Sequence, residues 1–440
     1  MRPSVSLSPF VLGVAAACLP AQAAVAATLW VTQLGSSGPG SLRAAVEAAN
    51  ARPGPDRIGF ARGLAGSVAV AGEPLTIRDA LEIRGPGGGR IRLRGDYAHR
   101  IVQIDAAAGE VALSGLDLTD AGDSAIVNAG AALAVEHCTL RGNAGVRGAA
   151  IASYGGDLHV ANATIRDNDA QALGGADEGM GGGIYARGAA VTIESTRLSS
   201  NHADALGGGL YVELPADGAL LVRGSVIDAN AAVTQGGGLF VHAQGGPPSG
   251  ILNSTISGNR SVRNAALWFD GALAIGNSTV TGNYAPVMEI PGVCAGLCGA
   301  GGRSELWLTS TLVSANRDAY GNGYDLAPVP GGAHVAHSLI ERVADGAVDD
   351  DRGANLLGVD PRIGPLRDNG GALPTHAPAP DSPVIDAGAD PALLEHDQRG
   401  ACHARVLGAA ADIGAHETQP APAPRHLPCP RPSMRRRADA

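Results

Sequence analysis

Ser254-Thr255-Ile256-Ser257-Gly258-Asn259 and Ser278-Thr279-Val280-Thr281-Gly282-Asn283 are two copies of one phrase that recurs across the middle of the chain. Upstream copies are Cys138-Thr139-Leu140-Arg141-Gly142-Asn143, Ala163-Thr164-Ile165-Arg166-Asp167-Asn168, Thr196-Arg197-Leu198-Ser199-Ser200-Asn201 and Ser225-Val226-Ile227-Asp228-Ala229-Asn230. A looser copy runs from Ser310 to Asn316. The closing Asn residues stand 25, 33, 29, 29, 24 and 33 positions apart. A period of this size marks stacked repeats, and its variation marks loops of unequal length between fixed points.

Working outward from the phrase, each unit divides into three short alternating segments. After Gly181 to Gly183 come Ile184-Tyr185, then Val191-Thr192-Ile193, then Leu198 and Asn201; Gly207 to Gly209 and Gly236 to Gly238 open the next units. A period of two with one apolar face is a strand pattern. Segments too short for hairpins of their own, repeated in order, predict an all-β, single-stranded parallel β-helix of three-strand coils, about ten in number. Rungs ~4.8 Å apart would align Leu140, Ile165, Leu198, Ile227, Ile256 and Val280 in one internal column, and Ile184, Leu210, Leu239 and Leu267 in another. Asn143, Asn168, Asn201, Asn230, Asn259, Asn283 and Asn316 then form a ladder at one corner, each amide bonding the next, with Asn itself expected in the left-handed conformation. Composition agrees: aromatic residues are 3% and apolar residues 45%, which suits a narrow aliphatic core.

The ends differ. Residues 1–27 read as a secretory signal, with Arg2, an apolar Phe10–Leu19 run, and either Ala24-Val25-Ala26 or Ala21-Gln22-Ala23 before the cut. Acylation at Cys18 is the alternative. Residues 28–57 read as a cap: a strand around Leu29–Thr32, then a helix opened by Ser41 with Leu42, Ala45, Val46 and Ala49 on one face. Coils occupy 58–350, an irregular region 351–417, and a disordered Pro- and Arg-rich tail 418–440. The mature chain has no transmembrane segment. Export allows disulfides, with Cys294–Cys298 and Cys402–Cys429 as candidate pairs and Cys138 as a buried thiol.

Two stretches carry a family resemblance. Val31-Thr32 with Gly38-Pro39-Gly40-Ser41-Leu42-Arg43 is similar to the opening of bacterial surface β-helix proteins. Asp368-Asn369-Gly370-Gly371, Pro374-Thr375-His376, Asp381 to Gly388, Asp397-Gln398-Arg399-Gly400 and Asp412 to Glu417 resemble the choice-of-anchor Q domain. The resemblance implies a right-handed parallel β-helix that is exported and secreted or held at the surface of a Gram-negative bacterium. It implies no reaction, and the anchoring segment usual in that family is replaced here by the Pro and Arg tail.

No catalytic set follows from the residues. All 32 basic residues are Arg, so a Lys base is excluded. The one candidate cluster is Asp167, Asp169, Asp177 and Glu178, with His202 and Asp204 a coil further, Asp228 nearby, and Arg260 and Arg263 beyond. Oxygen ligands at that density suit Ca²⁺, and an Arg base beside them suits a polysaccharide lyase. Against this, acidic turns in a chain of net charge −10 serve solubility. No cofactor is assigned. Asp349-Asp350-Asp351 reads as a solvated turn, His334 and His337 as loop residues, and the glycine triplets as corners rather than phosphate loops. Acidic charge argues against nucleic acid. A shallow groove beside an extended loop, Tyr284 to Gly302, is the expected contact for a polysaccharide or surface protein. The leading reading is a binding, adhesive or structural module; the runner-up is a polysaccharide lyase.

Overall fold

The computed structural model describes residues 26–175, 177–286 and 294–419. The chain winds as a right-handed parallel β-helix. Its three long faces are a 13-stranded, a 12-stranded and a 10-stranded sheet, and successive strands of each face are separated in sequence by one full turn. Every named strand pairing is parallel; Leu140 lies beside Ile165, Ile165 beside Leu198, Leu198 beside Ile227, Ile227 beside Ile256, and Ile256 beside Val280. These side chains are fully buried, as are Ile184, Leu210, Leu239 and Leu267 in the facing column. Each buried Leu or Ile contributes roughly 1.5–3 kcal/mol, so stacking like on like builds the core one rung at a time.

The central coils add a fourth, seven-stranded sheet of mostly two-residue strands, from Ala144–Gly145 to Arg317–Asp318. It follows directly from the Asn corner and turns the chain toward the glycine triplets. The triplets are corners: Gly181, Gly207 and Gly236 have φ of 66, 66 and 65°. A Cβ on Gly208 would lie 2.3 Å from the Ala231 carbonyl oxygen, so no larger residue fits between the rungs.

The Asn side chains form a continuous buried chain. Nδ2 of Asn143 donates to Oδ1 of Asn168 at 2.9 Å, and the pattern repeats through Asn201, Asn230, Asn259, Asn283 and Asn316. Each second amide proton goes to a backbone carbonyl of the preceding rung, as Asn230 to Leu198 at 3.0 Å. Asp325 ends the chain by accepting from the backbone N–H and side-chain amide of Asn316 at 2.9 and 2.6 Å. The left-handed residue is one position earlier than expected. Gly142, Asp167, Ser200, Ala229, Gly258, Gly282 and Ala315 have φ between 54 and 67°, and the Asn residues do not share it. An Asn that must aim its amide along the helix axis leaves the sharp turn to its predecessor.

A parallel hydroxyl ladder opens the same phrase. Thr196 Oγ1 accepts from Ala163 N–H at 3.2 Å, Ser225 Oγ from Thr196 at 3.1 Å, Ser254 from Ser225 at 3.1 Å and Ser278 from Ser254 at 3.1 Å. Cys138 holds the equivalent place earlier, buried, with its thiol pushed up to about 12 by desolvation.

At the start, strand Thr28–Val31 pairs with Asp56–Phe60 and so already belongs to the 13-stranded face. The helix Leu42–Asn50 begins at Ser41, whose side chain accepts from Ala44 N–H, and buries Leu42, Ala45, Val46 and Ala49. Replacing that cap by Ala would cost about 1 kcal/mol. Among the described residues no helix is long and apolar enough to cross a membrane.

The irregular region after Leu357 folds back over the outer face of the 12-stranded sheet. Thr255 donates to Gln398, Ser257 meets His376 at 2.9 Å, and Thr279 Oγ1 accepts from Ala415 N–H at 3.0 Å. Leu312, Leu339, Val384 and Ile413 form the apolar part of that seam. Behind it lies a buried polar hub. Asp397, with no exposure, holds Arg399 and accepts from Glu417 N–H at 2.9 Å, while Thr375 meets His416 at 2.9 Å. Burial pushes the Glu417 carboxyl up to about 7 and the His416 imidazole down to about 4.

Candidate functional site: the outer strip of the narrow sheet

The first position of each rung in the seven-stranded sheet faces outward, and its two longer strands also expose Val233, Val262 and Arg263. Strand register places Asp169, His202, Ala231, Arg260, Tyr284 and Arg317 in succession along it. At rung spacing of ~4.8 Å this is a strip ~24 Å long. The alternate residues Ala170, Ala203 and Ala232 point inward and are buried together, which forces the polar set outward.

At one end, His202 Nδ1 lies 2.8 Å from Asp169 Oδ1 and 3.8 Å from Asp204 Oδ1. Gln171 donates to the second oxygen of Asp169 at 2.8 Å, and Ala172 N–H to Asp204 at 2.9 Å. The carboxylate therefore fixes the ring and turns Nε2 outward, the arrangement that orients a histidine for proton transfer. At the other end, Arg260, Arg263 and Arg317 are exposed and form no ion pair among the described residues. Arg260 lies 5.7 Å from the centre of the Tyr284 ring, a cation–π contact, and that ring is 40% exposed.

The other acids named from sequence do not join this site. Asp228 is buried and holds Arg197 through two bonds of 2.8 Å, because its rung position faces the 12-stranded side. Asp167 pairs with Arg166. Glu178 accepts from Leu173 and Gly175 N–H at 2.5 and 2.9 Å, and the Gly175 bond leads in lowering its pKa. It shapes its loop. Among the described residues no group of three or more His, Cys, Asp or Glu is arranged to hold a metal ion, so the Ca²⁺ reading weighed for these acids finds no ligand set among them.

Other expectations also move. Asp350 and Asp351 form a short strand rather than a turn, with Asp350 Oδ2 3.2 Å from His334, which itself lies in strand Ala333–Ala336. Residues Cys294–Gly299 are a strand of the 10-stranded face, not part of a loop, because Leu297 continues the column above Leu267. The Cys294–Cys298 disulfide is formed within it, Cα to Cα 5.9 Å. The centre of that expected loop, 287–293, lies outside the described residues, as does Cys429, the expected partner of Cys402.

Sequence reasoning passed over an aromatic row on the outside of the 10-stranded sheet. Tyr185, Tyr211, Phe240 and Trp268 stack with ring centres 5.2, 5.1 and 4.1 Å apart, and Tyr154 caps them at 5.6 Å. The signal was the aromatic that follows the inward Ile or Leu after each glycine corner. The three middle rings are buried against one another and by Met180 and Leu206, so they brace the sheet rather than offer ring faces.

Comparison with known proteins gives the following. Residues 100–285 match the family described as "Right handed beta helix region". Among solved structures, the crystal structure of pectate lyase Pel9A aligns with a TM-score of 0.56 at 15% identity, over 89% of this chain and 96% of that one. That likeness is one of fold. Comparison with curated protein sequences gave no match.

Proposed function

We propose that this protein is exported and engages acidic polysaccharide along the outer strip of the narrow sheet, with a lyase-type reaction at the His202 end. The observation that carries the proposal is the pairing of a carboxylate-held His202 with a run of arginines that have no carboxylate partner among the described residues. Uronic-acid polymers present a carboxylate at each sugar, at a spacing similar to that of the rungs. Arg260 and Arg317 supply cations for those groups, and the exposed Tyr284 ring supplies a face for the sugar between them. β-Elimination removes the proton on the carbon beside a carboxylate. His202 Nε2 is the base in this scheme, and an arginine neutralises the charge that builds on the carboxylate. The fold shared with pectate lyase Pel9A is compatible with this reading and does not by itself supply the residues.

A second reading keeps the same strip as a binding or adhesive surface without turnover. The distance favours it: His202 and Arg260 are two rungs apart, ~10 Å, so one sugar cannot touch both unless a side chain swings. Under either reading the C-terminal region, which resembles the choice-of-anchor Q domain, acts as a structural clasp, and the protein works outside a Gram-negative cell. The deciding experiment incubates the protein with a panel of uronic-acid polymers, with and without Ca²⁺, and follows the ultraviolet absorbance of unsaturated products. Product that disappears in His202→Ala supports the lyase. Binding without product supports the adhesive surface.

A further inference from the structure

Asp56 is 4% exposed, and one of its carboxylate oxygens, Oδ2, is buried and has no hydrogen-bond partner among the described residues. The other oxygen, Oδ1, accepts from the backbone nitrogen of Ala27 at 2.8 Å. The Ala27 carbonyl in turn accepts from Arg57 N–H at 2.8 Å, so Ala27 is pinned on both sides at the start of the first strand. A buried ionised carboxylate with a bare oxygen is costly, and it calls for a cation with several donors. The adjoining cavity, about 590 Å³ and lined by Ala26, Ala27, Asp56, Arg57, Glu110 and His159 among others, does not supply one at Asp56: His159 lies four rungs further along the same face. Its single arginine, Arg57, is spent on Glu82 at 2.7 Å.

We infer that the leader is cut between Ala26 and Ala27, and that the new α-ammonium of Ala27 is the missing partner of Asp56. The inference rests on the export reading and selects one of its two candidate cleavage sites. A peptide nitrogen offers one N–H, whereas an α-ammonium on the same atom offers three donors and a positive charge. In the cut, water adds across the Ala26–Ala27 bond under an export peptidase. The hydroxyl goes to the Ala26 carbonyl carbon, the C–N bond breaks, and the released Ala27 amine takes the water's other proton and the proton of the new Ala26 carboxyl, becoming an α-ammonium. Cleavage after Ala23 instead would leave Ala27 an ordinary amide and the Asp56 oxygen still bare. Processing thereby completes the first rung, and the cut chain is more stable there than any longer form.

The absence of Lys makes the test clean, because the α-amine is the only primary amine in the chain. The full chain is exported from a Gram-negative host, and its intact mass and N-terminal sequence are read. A chain beginning at Ala27 supports the inference. One beginning at Ala24 overturns it and leaves export standing, and an uncut chain overturns both. An amine-acylating ester is then reacted with the native and the denatured exported protein. Pairing with a carboxylate that raises the amine pKa by ~1 unit slows native labelling about tenfold. Equal native and denatured rates overturn the inference. Asp56→Asn is expected to restore fast labelling. If that variant does not fold, the wild-type protein acylated at Ala27 replaces it. Its melting point is expected to fall by roughly 2–4 °C, and an unchanged melting point counts against the pair.

Discussion

Replacing Asn230 by Ala removes one link from the middle of the amide chain, and the cost follows from the groups left behind. Asn230 Oδ1 accepts from the backbone N–H and the side-chain amide of Asn201 at 3.0 and 2.9 Å. Its own amide reaches the Leu198 carbonyl at 3.0 Å and Asn259 Oδ1 at 3.0 Å. Asn259 Oδ1 keeps a donor in the Asn230 backbone N–H at 2.9 Å, so it is not stranded. The backbone N–H and one amide proton of Asn201 are, whereas the Leu198 carbonyl stays in the parallel ladder beside Ile227. At about 1–3 kcal/mol for each of the two buried orphans, and allowing for a water that enters the vacated corner, the loss is about 2–4 kcal/mol. Arg166→Ala, an outward change two rungs away, should cost less than about 0.5 kcal/mol. Equilibrium urea unfolding of the three proteins measures the difference, and hydrogen exchange at the Asn201 amide locates it. A loss below about 1 kcal/mol for Asn230→Ala, or one equal to that of the surface control, would refute the claim that the ladder holds the corner.

Other outcomes follow from the same geometry. Phe240 sits between Tyr211 at 5.1 Å and Trp268 at 4.1 Å, so Phe240→Ala should lose about 3–5 kcal/mol in the same unfolding assay. His202→Ala should cut any uronate turnover by about 10²–10⁴ while leaving the far-ultraviolet circular dichroism unchanged. Burial raises the Asp325 carboxyl to about 6, above its unfolded value. The folded state therefore holds the extra proton, and this group's contribution falls as pH rises from about 4 to 6, by about 3 kcal/mol. Asp325→Asn should flatten the unfolding midpoint over that window. His416 titrates with the opposite sign: its folded value, near 4, lies below the unfolded one, so stability falls as pH drops from about 6.5 toward 4.

The residues that wrote the fold into the sequence are those that must repeat. Ile165, Leu198 and Ile227 can sit above one another only if every coil brings the same phrase to the same place, so a period of strands and corners was enough to find them. The Asn chain was legible for the same reason, whereas its left-handed neighbour was not. Gly142, Asp167, Ser200 and Ala229 share a backbone angle without sharing a side chain. The fourth sheet was hidden because its strands are mostly two residues long and cannot show alternation, as in His202–Ala203. Its outward strip could be seen only in part: spacing put His202 one coil beyond Asp169, while the place of Tyr284 and Arg317 needed the register. The fold-back of the C-terminal region was out of reach, since Thr255 and Gln398 are 143 residues apart and neither lies in a pattern that points to the other. Asp228 illustrates the converse error. Sequence proximity to the Asn corner suggested the acidic cluster, but one residue of strand phase turns it to another face, where Arg197 takes it.

The most direct test of the functional account is the affinity of a defined oligouronate for the purified mature protein, measured calorimetrically at low and at physiological salt. The strip predicts binding that weakens as salt rises, and that is lost when Arg260 and Arg317 are both changed to Ala while the protein stays folded. Binding that is indifferent to salt and survives the double substitution, or no binding to any acidic polysaccharide, would contradict it.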